Sequence, residues 1–281
     1  MTKGRIAFQG ELGANSHEAC ATYFPDYEPV PHATFDEAFE AIKAGDCQLG
    51  MIPVENSIAG RVADVHHLLP NSGLKIIGEK FKPIRFQLMV NPGVTLDEVK
   101  TVQSMAIAIS QCRKTVKRLG LKAETVGDTA GAARMLAQNP DPTRAAISPA
   151  LAAEIYSLDI LLRDIEDERH NTTRFLVMTA EVEPEPPPFT SPCITSFVFR
   201  VRNLPAALYK ALGGFATNGV NMTKLESYME DGAWTATFFY AEVDGRPEDR
   251  GLALAFEELR FFSERFEILG VYPADPFRAR V

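Results

Sequence analysis

The sequence predicts an α/β protein in two parts, a layered α/β region followed by a smaller ferredoxin-like βαββαβ unit. Three observations carry this. Up to about residue 180, short β-rich runs alternate with stretches whose apolar residues recur at three- and four-residue spacing. A proline cluster, Glu181-Val-Glu-Pro-Glu-Pro-Pro-Pro-Phe-Thr-Ser-Pro192, then breaks the pattern, because prolines lack backbone donors and favour extended chain. Beyond it the order of runs becomes strand, helix, strand, strand, helix, strand.

Taken in order, Arg5–Phe8 reads as a strand and Ser16–Tyr23 as a helix, with Asn15 as its N-cap and Glu18 at the third helical position to answer it. Phe35–Lys43 and Val62–Leu69 read as helices on either side of a strand at Leu49–Val54. Strands follow at Leu74–Phe81, Phe86–Val90, Ala106–Ser110, Lys122–Val126 and Ala145–Ser148, with helices at Cys112–Leu119, Ala130–Gln138 and Pro149–Tyr156. Asn171-Thr-Thr-Arg-Phe-Leu-Val-Met178 closes the region as a strongly apolar strand with a polar lead. After the prolines come strand Ile194–Val201, helix Pro205–Asn218, strands Asn221–Met229 and Ala233–Val243, helix Arg250–Arg265 and strand Phe266–Tyr272. Phe197, Phe199 and Val201 alternate with Ser196, Val198 and Arg200, giving one sheet face for the two helices to cover.

A chain of 281 residues accommodates two domains with separate cores. The formal charge of −8 argues against a nucleic-acid partner while leaving room for a local basic site for a small acid. Cys20, Cys47, Cys112 and Cys193 are far apart and form no C-x-x-C pair, so reduced buried thiols and no metal site are expected. No run approaches the ~18 apolar residues of a membrane span. The opening Met1-Thr-Lys-Gly-Arg-Ile-Ala-Phe8 passes straight into a strand, and a cytoplasmic protein is the expectation.

Polar groups concentrate at three strand ends, where ligands of open α/β sheets usually sit. Gln9-Gly-Glu-Leu-Gly-Ala-Asn-Ser-His17 is a glycine-containing loop opening a helix; a tight turn with a capped helix explains it equally well. In Ile52-Pro-Val-Glu-Asn-Ser57 a plain turn accounts for Asn56 and Ser57, but less well for Glu55 directly after a strand. In the segment from Asn171, β-propensity of the threonines plus a surface arginine is the bland alternative.

Together these segments resemble the successive signature blocks of the prephenate dehydratases. The blocks are Gly10–Ala19, Pro53–Ser57, Asp128-Thr-Ala130, Ala152-Ala-Glu-Ile-Tyr156 and Asn171-Thr-Thr-Arg-Phe175, in the family's order. Leu204-Pro-Ala-Ala-Leu208 and Asn221-Met-Thr-Lys-Leu-Glu-Ser227 resemble its regulatory ACT domain. The resemblance implies a catalytic domain over residues 1–180 with the bilobed fold of type-II periplasmic binding proteins, a linker at 181–192 and an ACT domain at 193–281. Lobe one would be about 1–75 with 165–180, and lobe two about 76–164.

The implied reaction is loss of CO2 and hydroxide from prephenate to give phenylpyruvate, without a cofactor or metal. The key catalytic role falls on Thr173, with Glu55, Asn56 and Ser57 completing the catalytic set; Glu55 and His17 remain alternative proton sources. Arg174 would grip a carboxylate, joined in substrate binding by Thr172, Phe175, Ser16, His17 and Gln111. L-Phenylalanine, the expected effector, would lie against Asn203, Leu204, Pro205, Ala206, Ala207 and Leu208, and against Asn221, Met222, Thr223, Leu225, Glu226 and Ser227, between modules of a homodimer or homotetramer.

The sequence departs from the family pattern in places. Ser104-Met-Ala106 replaces Ser-His-Pro, Pro205-Ala-Ala-Leu208 replaces Pro-Gly-Ala-Leu, and Glu226-Ser-Tyr-Met229 replaces Glu-Ser-Arg-Pro. Arogenate dehydratase is the close alternative, and a non-catalytic bilobed solute- or amino-acid-binding protein the distant one.

Overall fold

The structure is a computed structural model that describes residues 4–181, 191–229 and 237–280. It forms two compact units: Met1–His66 with Lys80–Phe175, and His67–Glu79 with Leu176–Val281.

The chain of the first unit begins β1 (Gly4–Gln9), α1 (Asn15–Tyr23), β2 (Tyr27–His32), α2 (Phe35–Lys43), β3 (Leu49–Asn56), β4 (Gly60–Arg61), α3 (Ala63–Leu68) and β5 (Lys75–Pro83). It continues with β6 (Gln87–Val90), β7 (Thr101–Ser104), α4 (Ala106–Gln111), α5 (Arg113–Arg118), β8 (Lys122–Thr125), α6 (Thr129–Gln138), β9 (Arg144–Ser148), α7 (Ala150–Tyr156), β10 (Asp159–Leu162) and β11 (Thr172–Thr179). The 75–79 part of β5 and the 176–179 part of β11 belong to the second unit.

Two sheets result, in the orders β2-β1-β3-β11-β5, with β4 on β3, and β10-β6-β9-β7-β8. β1 is parallel to β2 and β3, and β7 to β8 and β9, whereas β6 is antiparallel to β9 and β10. These are the two α/β lobes expected, joined by two chain crossings. In lobe two the pleat of β6 sends Leu88 and Val90 into one apolar cluster and Met89 into the other, so helices cover both sheet faces. Local chemistry agrees with the elements. The Thr34 hydroxyl accepts from Glu37 N at 3.1 Å to cap α2, whose Ala38, Phe39, Ala41 and Ile42 are buried. Asp128 caps α6 through Gly131 N at 2.8 Å, while Ala130, Ala132, Ala133 and Leu136 face inward.

Several expectations need correction. β5 belongs to the first sheet, so lobe two starts after Pro83 rather than at 76. The second unit also reaches back before the prolines, taking 67–79 and 176–180 with it. Ala106–Ser110 is helical: Ala-Ile-Ala-Ile mimics strand alternation, but Ala108 and Gln111 form the buried helical face, and the strand lies earlier, at β7. β2, with Pro29 and Pro31, escapes a strand reading because prolines interrupt ladders; it is tolerated at the sheet edge. β10, a short edge strand, has no counterpart among the expected elements. The N-cap of α1 is Ala14, not Asn15, and Glu18 pairs with Lys82 at 2.7 Å instead of answering a cap.

The second unit contains β12 (Cys193–Val201), α8 (Ala207–Thr217), β13 (Met222–Tyr228), β14 (Phe238–Asp244), α9 (Arg250–Phe262) and β15 (Ser263–Pro273). The sheet order β13-β14-β12-β15, antiparallel throughout, is that of a ferredoxin-like unit. Phe197, Phe199 and Val201 pack on Ala211 and Phe215 of α8 and Leu252, Phe256 and Leu259 of α9. On the opposite face, the Ser196 and Tyr272 hydroxyls lie 2.8 Å apart, and Tyr240 donates to Glu242 at 2.6 Å. α9 ends three residues before the expected Arg265, its chain passing directly into β15. Most of the expected linker (182–190) and the start of the expected strand at Ala233 lie outside the described residues. No helix among the described residues is long and apolar enough to cross a membrane.

Candidate active site

The ends of β3 and β11 are tied together by side-chain amides. Asn56 Oδ1 accepts from the N–H groups of Ile58 and Ala59 at 3.0 and 2.9 Å, and this turn fixes which way the amide faces. Its Nδ2 therefore points at β11, donating to Asn171 Oδ1 at 2.7 Å and Thr173 Oγ1 at 3.0 Å, with Thr172 O at 3.3 Å. Asn171, fully buried, donates in turn to Gln111 Oε1 at 3.0 Å. The Ser57 hydroxyl donates to His170 O at 2.9 Å and accepts from Thr172 N at 3.0 Å. Because Thr173 Oγ1 already accepts from Asn56, its own proton is directed elsewhere.

Thr173 lines a cleft of about 400 Å³, a size that suits a small molecule. Ser16, Asn56, Gln111, Thr173 and Phe175 of the expected site residues line it. Its apolar wall comes from Phe35, Ile84, Phe86, Met105, Ile107 and Phe175. The polar lining adds Gln9, Asn15, Arg61, Asp64, Asp128 and Thr129, none of which is among the site residues expected from sequence. Ser16 is buried in the first turn of α1, and Asn15 Oδ1 is buried there without a partner. The backbone N–H groups that open α1 have no carbonyl four residues back to bond.

The remaining expected residues stand elsewhere. Arg174 is only 3 % exposed and pairs with Glu55 Oε1 at 2.9 Å, its guanidinium 5.8 Å from the Phe81 ring centroid. Adjacent residues of a strand face opposite sides, so β11 turns Thr173 and Phe175 to the cleft and Thr172 and Arg174 away; neither Arg174 nor Glu55 lines it. Among the described residues lining the cleft, Arg61 is the one cationic side chain. His17 is also outside the lining. Its ring stacks on Phe8 at 5.4 Å and Nδ1 accepts from Gly13 N at 2.9 Å, while burial, opposed by Glu18, holds its pKa below the usual histidine value.

The loop before α1 meets lobe two at three points. Glu11 forms two hydrogen bonds with Arg134, Tyr156 donates to Leu12 O at 2.9 Å, and Gly13 packs against Ala152. Arg134 holds the Glu11 carboxyl below its ordinary range. Asp128 goes the other way, raised chiefly by burial, opposed by the Gly131 N–H and raised further by Glu11.

In the second unit, Asn203, Leu204, Pro205 and Ala206 are exposed before α8, with Ala207 and Leu208 half-buried at its start. β13 is an edge strand that exposes Thr223, Leu225 and Ser227, with Met222 and Glu226 half-buried; Asn221 just before it donates to Asp244 at 2.6 Å.

Fold and cleft define a bilobed α/β protein whose cleft is of small-molecule size and is lined mainly by apolar and neutral hydrogen-bonding groups. Residues 6–183 match the family model described as prephenate dehydratase, and the chain belongs to that lyase family. A protein from Komagataeibacter europaeus described as a bifunctional N-acyl-homoserine lactone acylase/prephenate dehydratase is 47% identical over 275 residues, covering 98% of each chain. Arogenate dehydratase 2 of Petunia hybrida is 35% identical over 285 residues, covering 96% of this chain and 72% of its own. The crystal structure of prephenate dehydratase from Arthrobacter aurescens in complex with L-Phe matches with a TM-score of 0.88 at 29% identity, covering 96% of this chain and 90% of its own.

Proposed function

We propose that this chain is a cytoplasmic prephenate dehydratase, converting prephenate to phenylpyruvate, CO2 and water on the route to L-phenylalanine, without a cofactor. The observation that carries this is the Asn56 amide donating to Thr173 Oγ1 at 3.0 Å. It leaves the Thr173 proton free to meet the departing ring hydroxyl. A neutral threonine is a weak acid, so its contribution is a positioned hydrogen bond to oxygen as charge develops there.

The departing carboxylate fits the apolar wall of Phe86, Met105, Ile107 and Phe175. There it loses hydration, which favours the charge-dispersed transition state of decarboxylation. The side-chain carboxylate is assigned to Arg61 and the N-terminus of α1 around Ser16. Gln111 and Asn171 hold Asn56 in place, and the Glu55–Arg174 pair and Ser57 brace the strand ends.

Thr173→Val tests the role. Turnover should fall about 10²–10⁴-fold with substrate binding weakened far less; near-normal turnover removes Thr173 from the mechanism. Arogenate differs from prephenate only in carrying an amino group in place of the keto oxygen, and the exposed Asp64 in the lining is suited to an ammonium, so arogenate is the alternative substrate.

The second unit is read as an ACT domain, residues 193–281, that binds L-phenylalanine at Asn203–Leu208 and Asn221–Ser227 between two copies of the chain in a homodimer or homotetramer. Support comes from its strand order, the exposed edge of β13 and the L-Phe complex of the relative. Feedback inhibition needs a coupling of about 1–3 kcal/mol between effector and cleft. The acylase name of the full-length relative favours a second reading, amide hydrolysis of N-acyl-homoserine lactones. Release of free fatty acid from such a lactone by the purified chain would support it, and intact lactone after prolonged incubation would exclude it.

A further inference from the structure

Expelling hydroxide from a ring carbon calls for a proton, and neither proton source named from the sequence faces the cleft. Glu55 is held by Arg174 at 2.9 Å and His17 gives Nδ1 to the Gly13 N–H. Among the described residues, two carboxyl groups line the cleft, Asp64 and Asp128. Asp64 is solvent-exposed on α3. Asp128 is partly buried, alongside Thr129, with Thr173 and Phe175 in the same lining.

α6 fixes the position of Asp128. Oδ1 accepts from Gly131 N at 2.8 Å, and Oδ2 lies 3.5 Å from where a Cβ on Gly10 would stand. Glycine at position 10 thus brings bare backbone, not a side chain, next to the second oxygen. The charged and titratable groups around it are Glu11 from the β1–α1 loop, Arg134 from α6 itself and Tyr156 from α7. Arg134 is engaged by both oxygens of Glu11, so its charge is largely answered before it reaches Asp128. Burial and the Glu11 charge hold the Asp128 carboxyl above its ordinary range against the Gly131 N–H and Arg134, which favours a protonated donor.

We propose, resting on the dehydratase reading, that Asp128 is the general acid that protonates the departing hydroxyl. The pair of the C–CO2 bond enters the ring, an adjacent ring double bond shifts, and the C–O bond breaks with its pair going to oxygen. That oxygen takes the Asp128 proton and leaves as water, assisted by the Thr173 hydrogen bond. CO2 and phenylpyruvate result, and the Asp128 carboxylate recovers a proton from solvent. No oxidant or reductant is involved.

The alternative is that Asp128 only caps α6, and the two roles separate cleanly because asparagine caps as well as aspartate. In the full chain, Asp128→Asn should lower kcat about 10²–10⁴-fold with KM no higher and the melting temperature within about 2 °C. Asp128→Ser, which also caps, should show the same loss. Wild-type kcat should fall as pH rises through the Asp128 pKa, since the acid must be protonated, and the residual activity of Asp128→Asn should lack that limb. Turnover of Asp128→Asn within about threefold of wild type, or a falling alkaline limb of kcat that persists unchanged in Asp128→Asn, overturns the proposal. Wild-type protein inert toward both prephenate and arogenate overturns the dehydratase reading and the acid with it; an active wild type with an unimpaired Asp128→Asn overturns the acid alone.

Discussion

Asn56→Asp replaces one amide nitrogen by oxygen and reverses the polarity of the site. In the wild type, Nδ2 donates to Asn171 Oδ1, Thr173 Oγ1 and Thr172 O at 2.7, 3.0 and 3.3 Å, while Oδ1 accepts from Ile58 N and Ala59 N. Aspartate keeps the turn but faces those three oxygens with a carboxylate oxygen. Thr172 O keeps the Ser57 N–H at 2.9 Å, but Asn171 Oδ1 becomes an acceptor without a donor, so about 1–3 kcal/mol of stability is lost unless the Asn171 amide turns over. The third, the Thr173 hydroxyl, turns its proton toward the new carboxylate and away from the cleft. Loss of one such transition-state donor is worth about 2.7–4 kcal/mol, or a kcat lower by about 10²–10³-fold. Asn56→Ala removes the donor but leaves the Thr173 proton free, so its kcat loss should be smaller. Steady-state formation of phenylpyruvate by the variants, with melting curves to separate folding from turnover, checks both. Asn56→Asp within about threefold of wild type, or no worse than Asn56→Ala, refutes the argument that Asn56 directs the Thr173 proton.

Three further outcomes are expected. The His17 pKa is lowered in the folded state, so the unfolded chain takes up that proton first as pH falls. Its stabilisation is complete above the unfolded value of about 6.5 and declines below it, by at most about 1.4 kcal/mol per pH unit. His17→Gln should flatten that part of a melting-temperature profile; an unchanged slope would contradict this. Gly13 has φ +94° and a Cβ there would stand 2.8 Å from Ala152 Cα, so Gly13→Ala should cost about 2–4 kcal/mol in chemical denaturation; a loss under about 0.5 kcal/mol would show that the loop meets α7 only loosely. Ala206 adopts φ +61° just before α8, so Ala206→Gly should stabilise the second unit by about 0.5–1 kcal/mol, read as a higher melting temperature, with a decrease counting against strain there.

The polar strand ends are legible in the sequence because they are local. Asn56 and Thr173 follow or begin obvious strands, and their meeting needs only β3 and β11 to be neighbours. The same period-2 rule separates Thr173 from Arg174, whose guanidinium suggests a substrate ligand but is buried against Glu55. Asp128 stands in a recognisable block without signalling that its carboxyl faces a cleft, since that depends on how α6 packs beside Gly10. Arg61 is hidden in a two-residue strand whose direction comes from pairing with Glu55 and Asn56. In the second unit, alternation along β12 announces the sheet and its covered face, whereas α9 looks longer in sequence than it is because its pattern runs on into the strand that follows.

The central claim is tested most directly by giving the purified full-length chain prephenate and, separately, arogenate, each with and without L-phenylalanine, and following phenylpyruvate and phenylalanine. The account predicts phenylpyruvate from prephenate at a rate that L-phenylalanine lowers. No product from either substrate would contradict the dehydratase reading, and equal rates with and without saturating L-phenylalanine would contradict the regulatory one.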